Sequence, residues 1–465
     1  MAEKLIISIS GVRGIVGENL TPAIVAEYGS AFGTFLKERY LRNTEYAIRN
    51  TIKVCIGRDS RTSGQMLMSA LTEGLCGVGI DVVDLGLVTT AGVAVMAGEL
   101  GCSGGVVITA SHNPIQYNGI KLLLGNGIAP PLDEAEQIKQ YFFDKHFAFV
   151  DSSDCGKVIP MKSGQTDTNH INKVLAILDK EVISAKRFKV ALDSVNGAGG
   201  WVTKKLLAEL GCEVTAINGE PTGLFAHAPE PTRENVKELC EVVRTNKADI
   251  GFAQDPDADR LAIVDEAGTY IGEEYTLALA AKYIFSKRTG RAATNLSTSR
   301  MLDDIAAEVG GQVIRTAVGE ANVAKAMLEH DCIIGGEGNG GVIDLRVSPV
   351  RDSLVGIVLV LQLMAELRKT VSQLVGEIGS YYMIKDKFNA NQTQAQQILN
   401  LAEKTFTGAK LDTTDGCRFD FKDGWLHLRT SNTEPVMRMI VEAKDERTAQ
   451  KYIDIVSKIR KQVLG

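Results

Sequence analysis

Short apolar runs alternate with amphipathic stretches along most of this chain. The runs at residues 52–56, 80–85 and 106–108 have the length and the β-branched content of buried strands. The stretches at 64–76 and 90–100 between them are predicted to be helices. Strands that alternate with helices in this way predict a parallel sheet with crossover helices.

The same unit recurs further along the chain. Residues 78–83, 210–215 and 309–314 each combine the end of a helix, a glycine and a following strand. Glycine often ends a helix in the left-handed conformation, so each match marks a helix C-terminus. Three copies predict three related α/β domains.

The pattern changes after a long helix predicted at residues 353–368. From residue 418 the chain reads as strand, turn (422–424), strand, polar loop, strand and a final helix (445–463). This order predicts a separate, smaller α+β domain, with its linker at 376–380, where the hydrophobic periodicity lapses. The predicted domains are residues 1–160, 161–265, 266–372 and 373–465.

Composition narrows the possible functions. At 465 residues the chain is too long for one core, and its net charge of -6 without a long basic run argues against binding to nucleic acid. Residues 5–9 are too short for a signal peptide, and no run approaches the roughly 20 apolar residues of a membrane span. The eight cysteines show no paired spacing, so neither disulfides nor zinc are expected. We therefore expect a cytoplasmic protein.

The third of the apolar strands leads directly into Ser111. A strand that ends in small, polar and proline residues places one hydroxyl at the carboxyl edge of a sheet, where open α/β folds bind their ligands. His112 and Lys121 are close enough in sequence to move a proton while Ser111 acts as a nucleophile. The alternative is two successive turns, at 113–114 and 118–119, with a serine that is exposed by chance.

Three aspartates at alternate positions, Asp255, Asp257 and Asp259, lie between two apolar strands. Their oxygens suit a hard cation such as Mg²⁺, and three carboxylates so close repel one another unless a cation neutralises them. An EF-hand calcium loop is one alternative, but Arg260 stands where that loop needs glycine, and strands flank it instead of helices. A loop without metal is the other alternative, and charge repulsion counts against it.

Three further loops have the composition of ligand-binding sites. Glu337 and Asn339 lie among four glycines and offer a carboxylate and an amide to sugar hydroxyls. Residues 429–435, followed by Arg438, combine two guanidinium groups, three hydroxyls and an amide, which suits phosphate. Arg13 lies in a glycine-bracketed loop near the N-terminus. The alternatives are a surface turn for the loop of Glu337 and Asn339, a polar hairpin for residues 429–435 and a tight turn around Arg13.

Together these loops resemble the motifs of the α-D-phosphohexomutase superfamily over nearly the whole chain. Seven segments match family motifs in the family's order: residues 11–14, 57–61, 109–114, 118–121, 255–260, 336–341 and 429–435. The resemblance implies four domains around a central cleft. The expected fold class is α/β, with three related α/β domains with mixed sheets and a smaller C-terminal α+β domain.

The resemblance also implies an activity. Family members interconvert hexose 6-phosphate and hexose 1-phosphate through a phosphoserine, here Ser111, and a sugar 1,6-bisphosphate that also serves as activator. Mg²⁺ would be held by a phosphoserine oxygen and by Asp255, Asp257 and Asp259. The candidate catalytic residues are Arg13, Ser111, His112 and Lys121. The candidate substrate-binding residues are Arg260, Gly319, Glu337, Asn339, Arg429, Ser431, Asn432, Thr433 and Arg438.

The sugar-binding segment departs from the family pattern. Many bacterial members end this loop in Glu-x-Ser-Gly-His, whereas residues 337–341 read Glu-Gly-Asn-Gly-Gly, a variant similar to that of archaeal and some bacterial members. Residues 433–443 resemble glucosamine-phosphate members more than the mannose and glucose ones. Glucosamine phosphate is therefore the expected substrate, with mannose and glucose phosphates as alternatives.

Two other functional classes fit parts of the pattern. A metal-dependent phosphatase would pass the phosphoryl group to water, but it needs a second metal, and the six histidines show no metal-binding spacing. A non-catalytic phosphosugar sensor leaves the serine beside a metal loop unexplained. The expected partner is a small phosphosugar, with no nucleic acid and no membrane, and we expect a monomer or a homodimer.

Overall fold

The computed structural model describes residues 5–8, 11–41, 52–431 and 436–465. The first unit is built on a seven-stranded mixed sheet in the order β1-β2-β6-β5-β3-β4-β7. Its strands are β1 (Ile6–Ser8), β2 (Gly11–Ile15), β3 (Lys53–Arg58), β4 (Asp81–Leu87), β5 (Gly104–Ile108), β6 (Tyr117–Leu124) and β7 (Val158–Pro160). Its helices are α1 (Pro22–Leu41), α2 (Gly64–Gly77), α3 (Thr90–Glu99) and α4 (Leu132–Phe143).

The second and third units are each built on a four-stranded sheet. The second has β8 (Lys189–Asp193), β9 (Glu213–Ile217), β10 (Ile250–Gln254), β11 (Leu261–Val264), α5 (Gln165–Leu175), α6 (Lys180–Ser184), α7 (Gly199–Glu209) and α8 (Lys237–Asn246). The third has β12 (Arg291–Asn295), β13 (Gln312–Thr316), β14 (Ile334–Glu337), β15 (Gly341–Ile343), α9 (Glu274–Lys287), α10 (Met301–Glu308), α11 (Glu320–Glu329), α12 (Ser353–Leu367) and α13 (Val371–Ile378).

One strand topology is shared by all three units, which confirms the predicted repeat. In each, a central strand (β3, β8 or β12) lies parallel to the next two strands of the chain, one on either side. A fourth strand (β6, β11 or β15) then pairs antiparallel with the third. Gly79, Gly211 and Gly310 all have φ between 71° and 79° at the helix end before the second strand, where a side chain would be strained.

The repeat also explains how the predicted motifs come together. The connection between the third and fourth strand carries Ser111 in the first unit, residues 255–260 in the second and residues 338–340 in the third. Each motif therefore follows the carboxyl end of a buried strand (β5, β10 or β14), the edge at which open α/β sheets bind ligands.

The C-terminal unit is a five-stranded antiparallel sheet in the order β16-β20-β19-β18-β17. Its elements are β16 (Tyr382–Asn389), α14 (Gln392–Thr405), β17 (Lys410–Asp412), β18 (Cys417–Phe421), β19 (Gly424–Thr430), β20 (Val436–Ala443) and α15 (Glu446–Leu464). The last three strands and α15 were expected from the sequence, whereas β16, α14 and β17 were not. Part of the expected linker is helical, because α13 continues to Ile378 before Gly379 ends it.

Helix α12 organises the centre of the molecule. It is apolar on all sides and almost entirely buried, as expected of a helix surrounded by protein. One hydrophobic core contains α12 together with side chains of the second unit, such as Phe252, and of the third, such as Ile334. The C-terminal unit has a core of its own. The first unit has two, but its Val95 packs in the α12 core, and Val350 of the third unit packs in one of the first unit's cores. No helix in the described part of the chain is long and apolar enough to cross a membrane.

Two local interpretations of the sequence are wrong. Glu337, expected in a glycine-rich loop, instead ends the strand β14 (Ile334–Glu337). The turn considered at 118–119 does not exist, because both residues lie inside β6. In both places glycines suggested loops, yet the sheet accepts them because neighbouring backbone lies too close for a side chain.

Candidate active site

Ser111 lies where β5 ends, with its hydroxyl inside the protein. Its Oγ donates a hydrogen bond to Oδ2 of Asp255 at 2.7 Å and lies 3.3 Å from Nδ1 of His112. The backbone at Ser111 has φ 48°, a left-handed conformation that costs energy for a residue with a side chain. This conformation turns the chain sharply after the strand and directs the hydroxyl at the aspartate loop.

Asp59 and Arg61, from the loop after β3, hold the strained serine in place. The guanidinium group of Arg61 donates to the carbonyl oxygens of Ser111 (2.6 Å), Asn113 (2.7 Å), Pro114 (2.8 Å) and Tyr117 (3.1 Å). Asp59 accepts from Nε of Arg61 at 3.1 Å and from Thr109, whose hydroxyl in turn accepts from the amide of Ser111. The serine loop is therefore bound on both sides by a fully buried ion pair.

The three aspartates of the second unit form a buried cluster. One oxygen of each of Asp255, Asp257 and Asp259 lies within 4.8 Å of the others. Burial, followed by repulsion from the other two carboxylates, raises the pKa of Asp255 well above its ordinary value. Burial and the charge of Asp259 raise the pKa of Asp257 to about 6. For Asp259, Arg351 and Lys121 outweigh burial and lower the pKa.

Unpaired oxygens in this cluster fit a hard cation. Among the described residues, nothing donates a hydrogen bond to Oδ1 of Asp257 or Oδ1 of Asp259, although both atoms are buried. The other Asp257 oxygen accepts from the Thr90 hydroxyl at 2.6 Å, and Oδ1 of Asp255 accepts from the amides of Asp259 and Arg260 at 3.1 Å. Buried oxygens without donors are costly, and a divalent cation would satisfy them.

Four cationic or basic side chains surround Ser111 and the cluster. Arg13 on β2 donates to Oδ1 of Asn113 at 3.0 Å, and Arg260 donates to Glu230 at 2.9 Å. Burial, with the charges of Arg260 and Arg13, lowers the pKa of His112 to about 2, so its imidazole is neutral.

Lys121 is charged by contrast. Its Nζ lies 3.1 Å from Glu320 and 3.6 Å from Asp259. Burial alone would lower the pKa of Lys121, but these two carboxylates raise it. The two groups therefore differ in protonation state, with His112 neutral and Lys121 charged.

Glu337, the predicted sugar ligand, is already hydrogen-bonded by four donors. Oε1 accepts from Asn295 at 2.7 Å and from the amide of Gly319 at 3.2 Å. Oε2 accepts from Arg351 at 2.7 Å and from Asn339 at 3.3 Å. A carboxylate has about four acceptor positions, so a ligand hydroxyl would have to replace one of these donors.

Arg351 was not suspected from the sequence, although it connects the metal and sugar loops. It donates through Nη2 to Asp259 at 2.6 Å, through Nη1 to Glu337 at 2.7 Å and through Nε to Glu320 at 2.9 Å. Glu320 also pairs with Lys121, so the network reaches back to the first unit. An arginine immediately before the helix cap Asp352 has no sequence signature of its own.

The C-terminal unit brings a row of cations to the cleft. Arg429 on β19 lies directly across from Arg438 on β20, and Arg438 lies across from Lys387 on β16, so the three share one face of the sheet. Like charges in directly opposed positions repel one another unless an anion lies between them. Nε of Arg429 is buried and has no partner among the described residues. Lys387 was missed because β16 was not predicted.

Not every predicted phosphate ligand can be placed. Ser431 directly follows β19, and its amide donates to the carbonyl of Val436 at 2.9 Å. Asn432 and Thr433 lie outside the described residues. The sheet itself is anchored to the third unit by Lys385, which bonds Glu273 at 2.7 Å and Glu274 at 2.8 Å.

Comparison with known proteins identifies the architecture. Four successive segments match Phosphoglucomutase/phosphomannomutase, namely alpha/beta/alpha domain I (5–149), domain II (168–268), domain III (273–381) and the C-terminal domain (383–459). The chain is 38% identical to the phosphoglucomutase/phosphomannomutase of Thermococcus kodakarensis, over 98% of both chains. It is 35% identical to a probable phosphoglucosamine mutase of Methanopyrus kandleri, again over 98% of both.

A solved structure agrees with these relatives. The crystal structure of a phosphoglucomutase/phosphomannomutase family protein from Burkholderia thailandensis superimposes with a TM-score of 0.85 at 26% identity, covering 98% of each chain. The chain therefore belongs to the phosphoglucomutase/phosphomannomutase family, within the α-D-phosphohexomutase superfamily.

Proposed function

We propose that this enzyme interconverts hexose 6-phosphate and hexose 1-phosphate through a phosphorylated Ser111, with glucosamine phosphate as its preferred substrate. The observation that carries the proposal is the 2.7 Å contact between the Ser111 hydroxyl and Asp255, within a buried carboxylate cluster that lacks donors for two of its oxygens. A nucleophile beside a cation site, with arginines nearby, is the arrangement that phosphoryl transfer requires.

Transfer begins with the phosphoryl group on Ser111. The O–P bond to Ser111 breaks while a bond forms to the C1 hydroxyl of hexose 6-phosphate, giving the 1,6-bisphosphate. The hydroxyl proton passes to a base, and the departing serine oxygen takes up a proton. His112, at 3.3 Å from the Ser111 hydroxyl, and Lys121 are the candidates for these two proton transfers. The bisphosphate then reorients and returns its 6-phosphoryl group to Ser111, leaving hexose 1-phosphate.

Asp255, Asp257, Asp259 and a phosphoserine oxygen would hold Mg²⁺, which when bound supplies charge neutralisation and orientation for the transferred group. The protein's own cations complete the neutralisation. Arg13 and Arg260 are close to Ser111 and the aspartates, where charge develops during transfer.

The phosphate that does not react would dock on the C-terminal sheet. Arg429, Arg438 and Ser431 would bind it, together with Asn432 and Thr433, which follow Ser431 in the sequence, and Gly319, Asn339 and Glu337 would contact the sugar. Closure of this unit over the substrate would exclude water and favour transfer to sugar over hydrolysis.

One experiment separates a mutase from a phosphatase and from a sensor. The purified protein is weighed by mass spectrometry before and after phosphatase treatment, and is then incubated with glucosamine 6-phosphate. A mutase loses the mass of one phosphoryl group on treatment and forms glucosamine 1-phosphate, with added bisphosphate restoring the treated enzyme. Release of inorganic phosphate without isomer would indicate a hydrolase, and neither product would indicate a sensor.

Substrate preference gives a second expected result. The three sugars differ at C2, where the ammonium of glucosamine phosphate favours a carboxylate, but Glu337 already has four donors. Discrimination by one contact is typically about 1–3 kcal/mol, so we expect glucosamine phosphate to react fastest and the others within about a hundredfold. Competition among the three phosphates in one assay measures the ratio. A tenfold or greater preference for glucose or mannose phosphate would overturn the aminosugar assignment alone.

A third expected result concerns Arg61. In Arg61→Lys the charge remains but the four carbonyls of the serine loop lose the planar fork that binds them. Misplacement of a reacting group by about 1 Å can cost a hundredfold in rate, so we expect kcat to fall by about that factor with Mg²⁺ affinity unchanged. Arg58→Lys, at the end of the preceding strand β3 and only partly buried, is the matched control. Wild-type kcat in Arg61→Lys would contradict this positioning role.

A cytoplasmic location and a monomeric or homodimeric state remain predictions. Size-exclusion chromatography with light scattering measures the second directly.

A further inference from the structure

Gly341 and Arg351 occupy the same space beside the sugar loop. A Cβ atom at Gly341 would lie 2.1 Å from Cδ of Arg351 and 2.7 Å from its Cγ. Real Cβ atoms do not approach other heavy atoms so closely. Backbone conformation is not the reason for the glycine, since Gly341 is absent from the positive-φ glycines of the described chain. Position 341 is therefore glycine because the arginine side chain crosses it.

The position is informative because this is where the sugar loop departs from the resembled pattern. Many bacterial members have histidine where this chain has Gly341. In this protein the stem of Arg351 fills the space that a side chain at position 341 would enter.

We propose that Arg351 is a positioning residue that replaces the side chain at position 341 and holds the metal ligand Asp259 and the sugar ligand Glu337 in one fixed geometry. The inference rests on the proposed function, which gives those two carboxylates their roles. Three contacts carry it: Arg351 donates to Asp259 at 2.6 Å, to Glu337 at 2.7 Å and to Glu320 at 2.9 Å. All three acceptors are largely buried.

The geometry of the guanidinium group lets Arg351 do more than neutralise the charges of Asp259 and Glu337. Its planar fork fixes the angle between the two Nη donors, so Oδ2 of Asp259 and Oε2 of Glu337 are held relative to each other. With Oδ2 occupied, Asp259 presents Oδ1, the oxygen without a donor, to the cluster. Outer partners of metal ligands typically contribute tenfold to a hundredfold in metal affinity.

Two substitutions test the proposal because they reach the same arginine from opposite sides. Gly341→Ala leaves Arg351 chemically intact but displaces it, whereas Arg351→Ala removes it. Isothermal titration calorimetry on the dephosphorylated protein measures the Kd of MgCl2 and, separately, that of glucosamine 6-phosphate. We expect each single change to weaken both affinities about tenfold or more. We expect the double variant to be no worse than Arg351→Ala, because displacing an absent side chain costs nothing.

The sign of the metal effect separates positioning from simple electrostatics. Removing a positive charge beside the cluster would by itself tighten Mg²⁺ binding, whereas loss of positioning weakens it. Arg351→Lys, which keeps the charge without the fork, should also weaken both affinities. Gly376→Ala, at an open position on α13, and Arg346→Ala, whose arginine pairs with Asp344, should leave both at wild-type values.

Several outcomes would overturn the proposal. They are wild-type affinities in Gly341→Ala, tighter Mg²⁺ binding in Arg351→Ala, and additive losses in the double variant. A purely structural role would lower the melting temperature of the variants while leaving the Kd values of the folded protein unchanged. If the wild-type protein binds Mg²⁺ but neither binds nor isomerises any hexose phosphate, the proposed function fails instead. The MgCl2 titrations of the variants would then still test whether Arg351 positions Asp259.

Discussion

We expect Ser111→Ala to lower kcat by about a thousandfold or more, because the covalent step disappears while the groups that bind the substrate remain. The hydroxyl is the only group of Ser111 that points into the aspartate cluster, and alanine keeps the Cβ that packs against the loop. Because Arg61 and Thr109 hold this loop through its backbone, the substitution should leave the fold intact.

Two measurements make the result specific. Intact mass should show a phosphoryl group on wild-type protein after incubation with glucose 1,6-bisphosphate and none on Ser111→Ala. Ser69→Ala, which removes an exposed hydroxyl on α2, is the matched control and should behave as wild type. Near-normal turnover by Ser111→Ala without phosphorylation would refute the phosphoserine mechanism.

Metal removal should have the next largest effect. We expect chelation with EDTA to abolish turnover and Mg²⁺ to restore it. In Asp257→Asn, kcat should fall about a hundredfold or more, because a bound metal contributes several kcal/mol of charge stabilisation in the transition state. The metal-free Asp257→Asn protein should nevertheless melt no lower than metal-free wild type, since one of three mutually repelling buried carboxylates has been neutralised.

Either of two results would show that these carboxylates have another role. Activity that is indifferent to EDTA would exclude a metal requirement. A lowered melting temperature in metal-free Asp257→Asn would mean that the carboxylate stabilises the fold. Asp331→Asn is an isosteric control on the surface, at a left-handed position that asparagine tolerates.

The repeated part of the fold could be predicted because its signals are local. At Gly79, Gly211 and Gly310 a glycine ends a helix, and an apolar strand follows. The helix end and the strand each depend on a few neighbouring residues. In the C-terminal unit, β16 carries Tyr382, Lys385 and Lys387 on an edge strand with little burial, so it has no apolar period to recognise. Its place in the sheet comes from pairing with β20, a contact distant in sequence.

The residues of the candidate site also fall into those that local sequence predicts and those that only the fold brings together. Ser111 and the three aspartates follow buried strands in compact motifs, and the residues that surround them in sequence suggest their chemistry. Arg61 and Arg351 act across distances of 50 and 92 residues in sequence to reach Ser111 and Asp259, so no spacing rule points to them. Glu337 was identified, but three of its four donors come from other segments, and only the structure reveals how completely it is bound.

The single core around α12 determines which loops of the site are held in fixed positions relative to each other. It joins the second and third units, so the loop of Asp259 and the loop of Glu337 belong to one body, while the arginine row belongs to a unit with a separate core. In the proposed closure of the C-terminal unit, the distance from Arg429 to the sugar would shorten, while the distance between Asp259 and Glu337 would stay the same. The shared core would thus give a reorienting intermediate a fixed reference while one wall of the site closes.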